Sequence, residues 1–117
     1  MIMSKIYTQW DIVRVRINPN DRDEHPAVII SPPEVCANEK KPRLNVLYGT
    51  TRRPGFVPQE HEVTLNSADG LEHMTLFSCA HIYTIDRDKI SARYGSVTYE
   101  RRRQIGRKII TTFRLPM

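Results

Sequence analysis

The residues of this chain with reactive potential are four histidines, a tandem arginine pair and a basic tail. His25, His61, His73 and His81 are scattered along the sequence. An imidazole ordinarily titrates near pH ~6.5, so it can take or give a proton under physiological conditions. Arg52 and Arg53 directly follow the doublet Thr50-Thr51. Guanidinium groups stay charged and fork onto two oxygens of a phosphate. No two histidines stand at helical i,i+4 spacing, and Cys36 and Cys79 are isolated, so no metal site follows from spacing. The glycines are dispersed, which leaves no phosphate-cradling loop. Each candidate also has an ordinary reading. His25 also reads as a loop histidine at a strand entrance, and His81 as a surface or partly buried one, the commoner fate of each. Arg52 and Arg53 read as solvated charge in a polar turn.

The elements that must position these groups are mostly strands. Over residues 10–17, Val13, Val15 and Ile17 alternate with Ile12, Arg14 and Arg16, the period of a half-buried strand. A polar loop with Pro19 follows. Ala27–Ser31 is a continuous apolar, β-branched run that fits a strand buried on both faces, and Pro32-Pro33 ends it. Residues 34–43 are polar and basic and read as a mobile loop. Leu44, Val46 and Tyr48 alternate in a third strand ending at Gly49-Thr50-Thr51, and Arg52-Arg53-Pro54-Gly55 opens a second long loop. Short strands are expected at His61–Leu65, Met74–Cys79 with extension through Ile85, and Ala92–Val97, with Asn66–Gly70 as a turn. Asp86 is positioned to cap a helical turn over Arg87–Ile90. Thr98 or Ser96 caps a final helix to about Phe113, which carries Ile105, Ile109 and Phe113 on one face. This pattern predicts a mainly β fold, a small, strongly bent antiparallel sheet packed on a C-terminal helix.

Composition bounds the function classes. A chain of 117 residues is expected to be one domain, 1–117, burying about two-thirds of its unfolded surface. Hydrophobic content of 39% with 26% charged residues excludes a disordered or membrane-spanning protein. Met-Ile-Met-Ser-Lys lacks the pattern of a signal peptide, and two reduced thiols suit a reducing compartment, so a cytoplasmic location is expected. Residues 98–117 carry Arg101, Arg102, Arg103, Arg107, Lys108 and Arg114 against Glu100 alone. The whole net charge of +5 therefore sits on the tail. Such a block attracts nucleic acid, an anionic surface or an acidic protein, or is simply a solvated helix face.

The ordered set Asp11-Ile12-Val13, Pro26-Ala27-Val28-Ile29, Ser31-Pro32, Thr50-Thr51, Cys79, Thr84-Ile85-Asp86, Gly95 and the helix from Thr98 resembles the MazF/PemK/Kid family of toxin-type endoribonucleases. The resemblance covers nearly the whole chain. It implies an SH3-like small barrel of the PemK/MazF/CcdB type and a homodimer. It also implies sequence-selective cleavage of single-stranded RNA without metal or other cofactor, the 2′-hydroxyl attacking the adjacent phosphate. A cognate antitoxin with an acidic tail is implied as partner, DNA binding through the basic helix is a further expectation, and no membrane is involved.

Residue by residue, the resemblance makes Thr50 the strand-end threonine that orients the scissile phosphate. His25 stands where the family places an arginine before its Pro-Ala-Val strand. Ser78-Cys79-Ala80-His81 stands where Kid-type members read Arg-Cys-Asp-Gln. The arginine and the acid of that strand are thus absent, and a site rebuilt from the residues present would have His25, Thr50 and His81 as its catalytic set, with Arg22, Thr51, Arg52, Arg53 and Ser78 holding nucleic acid. The alternative is a barrel that has lost catalysis and serves as a nucleic-acid- or protein-binding module, with Tyr48, Phe56 and Tyr83 free to stack bases.

Overall fold

The computed structural model describes residues 6–16, 20, 23–51 and 57–116. The chain runs β1 (Asp11–Val15), β2 (His25–Ile29), α1 (Pro33–Ala37), β3 (Arg43–Thr51), β4 (Glu62–Leu65), β5 (Thr75–Asp86), β6 (Ile90–Ser96) and α2 (Tyr99–Phe113), with single 3₁₀ turns at Ser67–Asp69 and Arg87–Lys89. Among the described residues the strands form one antiparallel sheet in the order β4-β5-β3-β2-β1-β6. It curls into a half-barrel carrying a C-terminal helix, the mainly β architecture expected from the sequence.

Both faces of the central strands are buried, for a reason visible in their side chains. Val13, Val15, Ala27, Ile29, Leu44 and Val46 pack on one face with Cys36 of α1. Ile12, Val28, Leu47 and Phe77 pack on the other with Ile105 of α2. A strand between two apolar layers cannot alternate with polar residues, which is why Ala27-Val28-Ile29 reads as an unbroken apolar run. On α2, Ile105 is fully buried and Ile109 packs beside it, while Phe113 at the end of the stripe is largely exposed.

The curl comes from irregular pairing. Partners on β3 and β5 run from Leu47↔Ile82 straight to Gly49↔Phe77, so residues 78–81 lie opposite Tyr48 alone. Extra residues on one strand bend it and re-aim its side chains. β5 thereby pairs with β4 through Thr75–Ser78 and departs alone along β3 beyond Ile82.

Three local expectations are corrected. Residues 34–43 are not a plain loop: Pro33–Ala37 form α1, with proline in the first turn where its missing N–H costs nothing. The Arg87 guanidinium, from far along the chain, donates to the carbonyls of Cys36 (2.8 Å), Val35 (3.2 Å) and Lys41 (2.9 Å) and so closes the end of that short helix. Asp86 precedes the Arg87–Lys89 turn but makes no side-chain cap; it faces Arg43 instead. Thr98 precedes α2 without capping it by its side chain. The buried Asp69 does that work, accepting the Thr98 N–H at 2.9 Å.

Gly95 is held where β6 passes the Ser67–Asp69 turn. A Cβ there would lie 2.4 Å from the Asp69 carbonyl oxygen and 3.1 Å from the Gly70 Cα. Both are backbone atoms that cannot swing aside. Gly95→Ala is therefore expected to destabilise the fold by about 1–3 kcal/mol, read as a lower urea midpoint at unchanged slope.

Candidate active site

The face of the sheet that packs Ala27, Ile29, Leu44 and Val46 near α1 continues past that cover as an open groove. Alternation puts Tyr48 and Thr50 on this face of β3, and pairing of Thr50 with Leu76 and of Glu62 with Ser78 adds the β5 and β4 side chains. The groove holds about 270 Å³ and is lined by Thr50, His61, Glu62, Ser78, His81 and Tyr83, with Gln59 at its rim and Leu76 as a buried floor.

Ser78 and His81 meet because of the irregular stretch between them. In a regular strand, residues three apart point to opposite faces. Here Ser78 Oγ lies 3.1 Å from His81 Nδ1 and also accepts the Ala80 N–H at 3.3 Å. A hydroxyl can donate to a neutral imidazole or accept from a charged one, so this contact serves both protonation states of His81 and leaves Nε2 to the groove. Opposite, the His61 backbone is fixed by its carbonyl, which accepts the Cys79 N–H at 2.8 Å. Glu62 Oε1 accepts the Gln59 N–H at 2.8 Å and stabilises the turn that delivers His61.

Thr50, Ser78 and His81 come together in the groove. His25 does not line it; its ring packs on Tyr48 with centroids 4.9 Å apart, and Tyr48 in turn packs on Tyr83 at 5.7 Å. Thr51 is exposed and, one residue beyond Thr50, points to the opposite face. Arg22, Arg52 and Arg53, like Phe56, lie outside the described residues. Sequence reasoning did not select His61, Glu62 or Gln59. Their signal is the β4–β5 register, which no local pattern reveals.

Among the described residues no three His, Cys, Asp or Glu side chains converge as a metal-binding group. Both cysteines are free and buried. Burial pushes the Cys79 thiol from 9.0 up to about 11, with Lys108 pulling weakly the other way. Burial raises Cys36 as well, partly opposed by Arg87. A thiol in that state is a poor nucleophile. Since folding favours the neutral thiol of Cys79, its contribution to stability is full below pH 9.0 and disappears as pH rises through about 11. Iodoacetamide at mildly alkaline pH should therefore leave both thiols unmodified in the folded protein and label them after denaturation, as read by intact mass.

The chain thus has a small barrel-like fold, a curled antiparallel half-barrel with a C-terminal helix and a polar groove at the bend of its longest strand. The model of the PemK-like, MazF-like toxins of type II toxin–antitoxin systems matches residues 8–113, and the chain belongs to that family. Similar solved structures share the fold at low identity. An endoribonuclease in complex with its cognate antitoxin from a mycobacterial species superposes with TM-score 0.76 at 17% identity, covering 97% of this chain and 99% of that one. The Mycobacterium tuberculosis toxin MazF-mt6 gives 0.74 at 19% identity, with 92% and 99% covered. A chain of the MazE–MazF structure from Deinococcus radiodurans gives 0.73 at 17% identity, with 96% and 100% covered. No curated protein matches the chain in sequence.

Proposed function

We propose that this protein is an endoribonuclease that cuts single-stranded RNA by internal transesterification. The observation that carries the reading is the convergence of two imidazoles, His61 and His81, with Thr50 and Ser78 in one groove of a toxin-family fold. The 2′-oxygen attacks the adjacent phosphorus, the P–O2′ bond forms, the P–O5′ bond breaks, and a 2′,3′-cyclic phosphate remains. One group must take the 2′-hydroxyl proton and another must protonate the departing 5′-oxygen.

His81 suits the acid, since Ser78 can accept from the protonated ring at Nδ1 and leave Nε2 to exchange a proton with RNA. His61, across the groove, suits the base. Thr50 donates to the phosphate, and Arg52 and Arg53, next to Thr50-Thr51 in sequence, supply charge for the pentavalent anion. Tyr48 and Tyr83 offer ring faces for bases flanking the cut, the basis of sequence selectivity. His25 is read as a positioning residue for Tyr48.

Neutralisation by a cognate antitoxin with an acidic tail, and assembly as a homodimer, are part of the same proposal, supported by family membership. No helix among the described residues is long and apolar enough to cross a membrane. DNA binding along α2 would fall to its C-terminal half, because Arg101 is bound to Asp69, and Arg102 donates to the Val97 carbonyl (2.8 Å) and Ser96 Oγ (3.0 Å).

The test is incubation of purified protein with single-stranded RNA in EDTA. Fragments ending in a cyclic phosphate support the enzyme. RNA retained but uncut, with affinity falling steeply in salt, supports the binding module instead.

A further inference from the structure

A second groove, of about 400 Å³, runs between the C-terminal half of α2 and the approach to β4. Arg107 and Thr111 stand one helical turn apart on its wall, Lys108 and Thr112 repeat that spacing beside them, and Arg114 closes the end. Arg114 is set there by its left-handed backbone at φ 53°, which turns the chain out of the helix axis. Glu60 and His61 form the opposite wall, and His61 also lines the first groove, so the two grooves, on opposite faces of the sheet, meet at this residue beside the edge strand β4.

We infer that this second groove is a backbone tract for the substrate strand, holding RNA phosphates beyond the one that is cut. The inference rests on the RNA-cleaving role proposed above. Three cations and two hydroxyl donors line the tract, the groups that phosphate oxygens require. Two features oppose an anion: the Glu60 carboxylate, and the end of α2, whose dipole amounts to roughly half a negative charge. Against three positive groups they leave a clear excess of positive potential. The Lys108 ammonium also donates to the Glu60 carbonyl, which ties the two walls at one point. The shared residue His61 favours a nucleic-acid strand, which would round the β4 edge to occupy both grooves, over an acidic peptide.

The test compares wild type with Arg107→Ala/Arg114→Ala, both exposed positions outside the cleavage groove. Two substrates share one cut site, a tetranucleotide and an oligonucleotide several times longer. The double variant should leave kcat and tetranucleotide cleavage unchanged and raise KM for the longer RNA about tenfold. It should also flatten the salt dependence of binding by about 1.4, the slope of two phosphate contacts on a single strand. Equal losses on both substrates, or none on the longer one, overturn the tract. Affinity for a non-cleavable 2′-O-methyl version of the longer RNA is measured in parallel by anisotropy. It reads the tract even if no RNA is cut, so failure of the cleavage proposal remains separate. An oligoglutamate peptide that loses affinity for the variant while the RNA keeps its own overturns the RNA assignment in favour of an acidic protein tail.

Discussion

His81→Ala is expected to lower kcat on single-stranded RNA by about 10²–10⁴-fold, the usual worth of a placed proton donor, while KM for the same RNA changes little. The ring bonds to Ser78 and lies exposed on the groove wall, so its removal leaves no buried group unsatisfied. A drop in rate with unchanged urea midpoint is thus the signature of a role in chemistry. His61→Ala should cost a similar factor, and the two together should cost much less than the product, as for groups that act in one step. The rate profile of the wild type against pH should be bell-shaped, and each single variant should lose one limb. Ser78→Ala should slow the reaction only several-fold, because it orients the ring without exchanging a proton with RNA. Wild-type rates in both histidine variants would remove the proton-transfer assignment while leaving the groove as a binding site.

Asp69→Ala is expected to be the most damaging single change to the fold, at about 3–5 kcal/mol. The Asp69 side chain is fully buried, and its ion-pair partner Arg101 is only 25% exposed. One carboxylate accepts from Arg101, from the Asn66 N–H at 3.1 Å and from the Thr98 N–H at 2.9 Å. It therefore closes the Ser67–Asp69 turn and caps α2 at once. Alanine strands a half-buried guanidinium and two backbone donors together. At about 4 °C per kcal/mol for a domain of this size, Tm should fall by roughly 12–20 °C. Asp69→Asn keeps one acceptor oxygen and should fall between. None of the partners of Asp69 lines the cleavage groove, so RNA cutting well below the melting range should survive the asparagine variant. A urea midpoint within experimental error of wild type would show that α2 is held by its apolar face alone.

How much of this was legible in the sequence depends on the reach of the interactions. Ala27-Val28-Ile29 announces a doubly buried strand because both its faces meet apolar layers. The stripe Ile105–Ile109 announces α2 because a helix repeats its contacts within two turns. α1 was missed for the opposite reason: five residues propagate no pattern, and the group closing the helix, Arg87, lies on the far side of three strands in sequence. The cap of α2 was sought locally in Thr98 or Ser96, whereas Asp69 supplies it from another turn. For the site, Thr50 was legible as a strand end. The pairing of Ser78 with His81 was not, because strand periodicity places them on opposite faces until residues 78–81 depart from the ladder. His61 was one of four scattered histidines until register with β5 brought it across from them.

That departure from the ladder has an evolutionary consequence. Where four residues of β5 answer a single residue of β3, side-chain identity is uncoupled from strand alignment. Side chains at 79–81 can be exchanged there without shifting the β3–β5 pairs on either side. The barrel can thus change its reagents in that window by point substitution alone, while the scaffold on either side inherits unchanged.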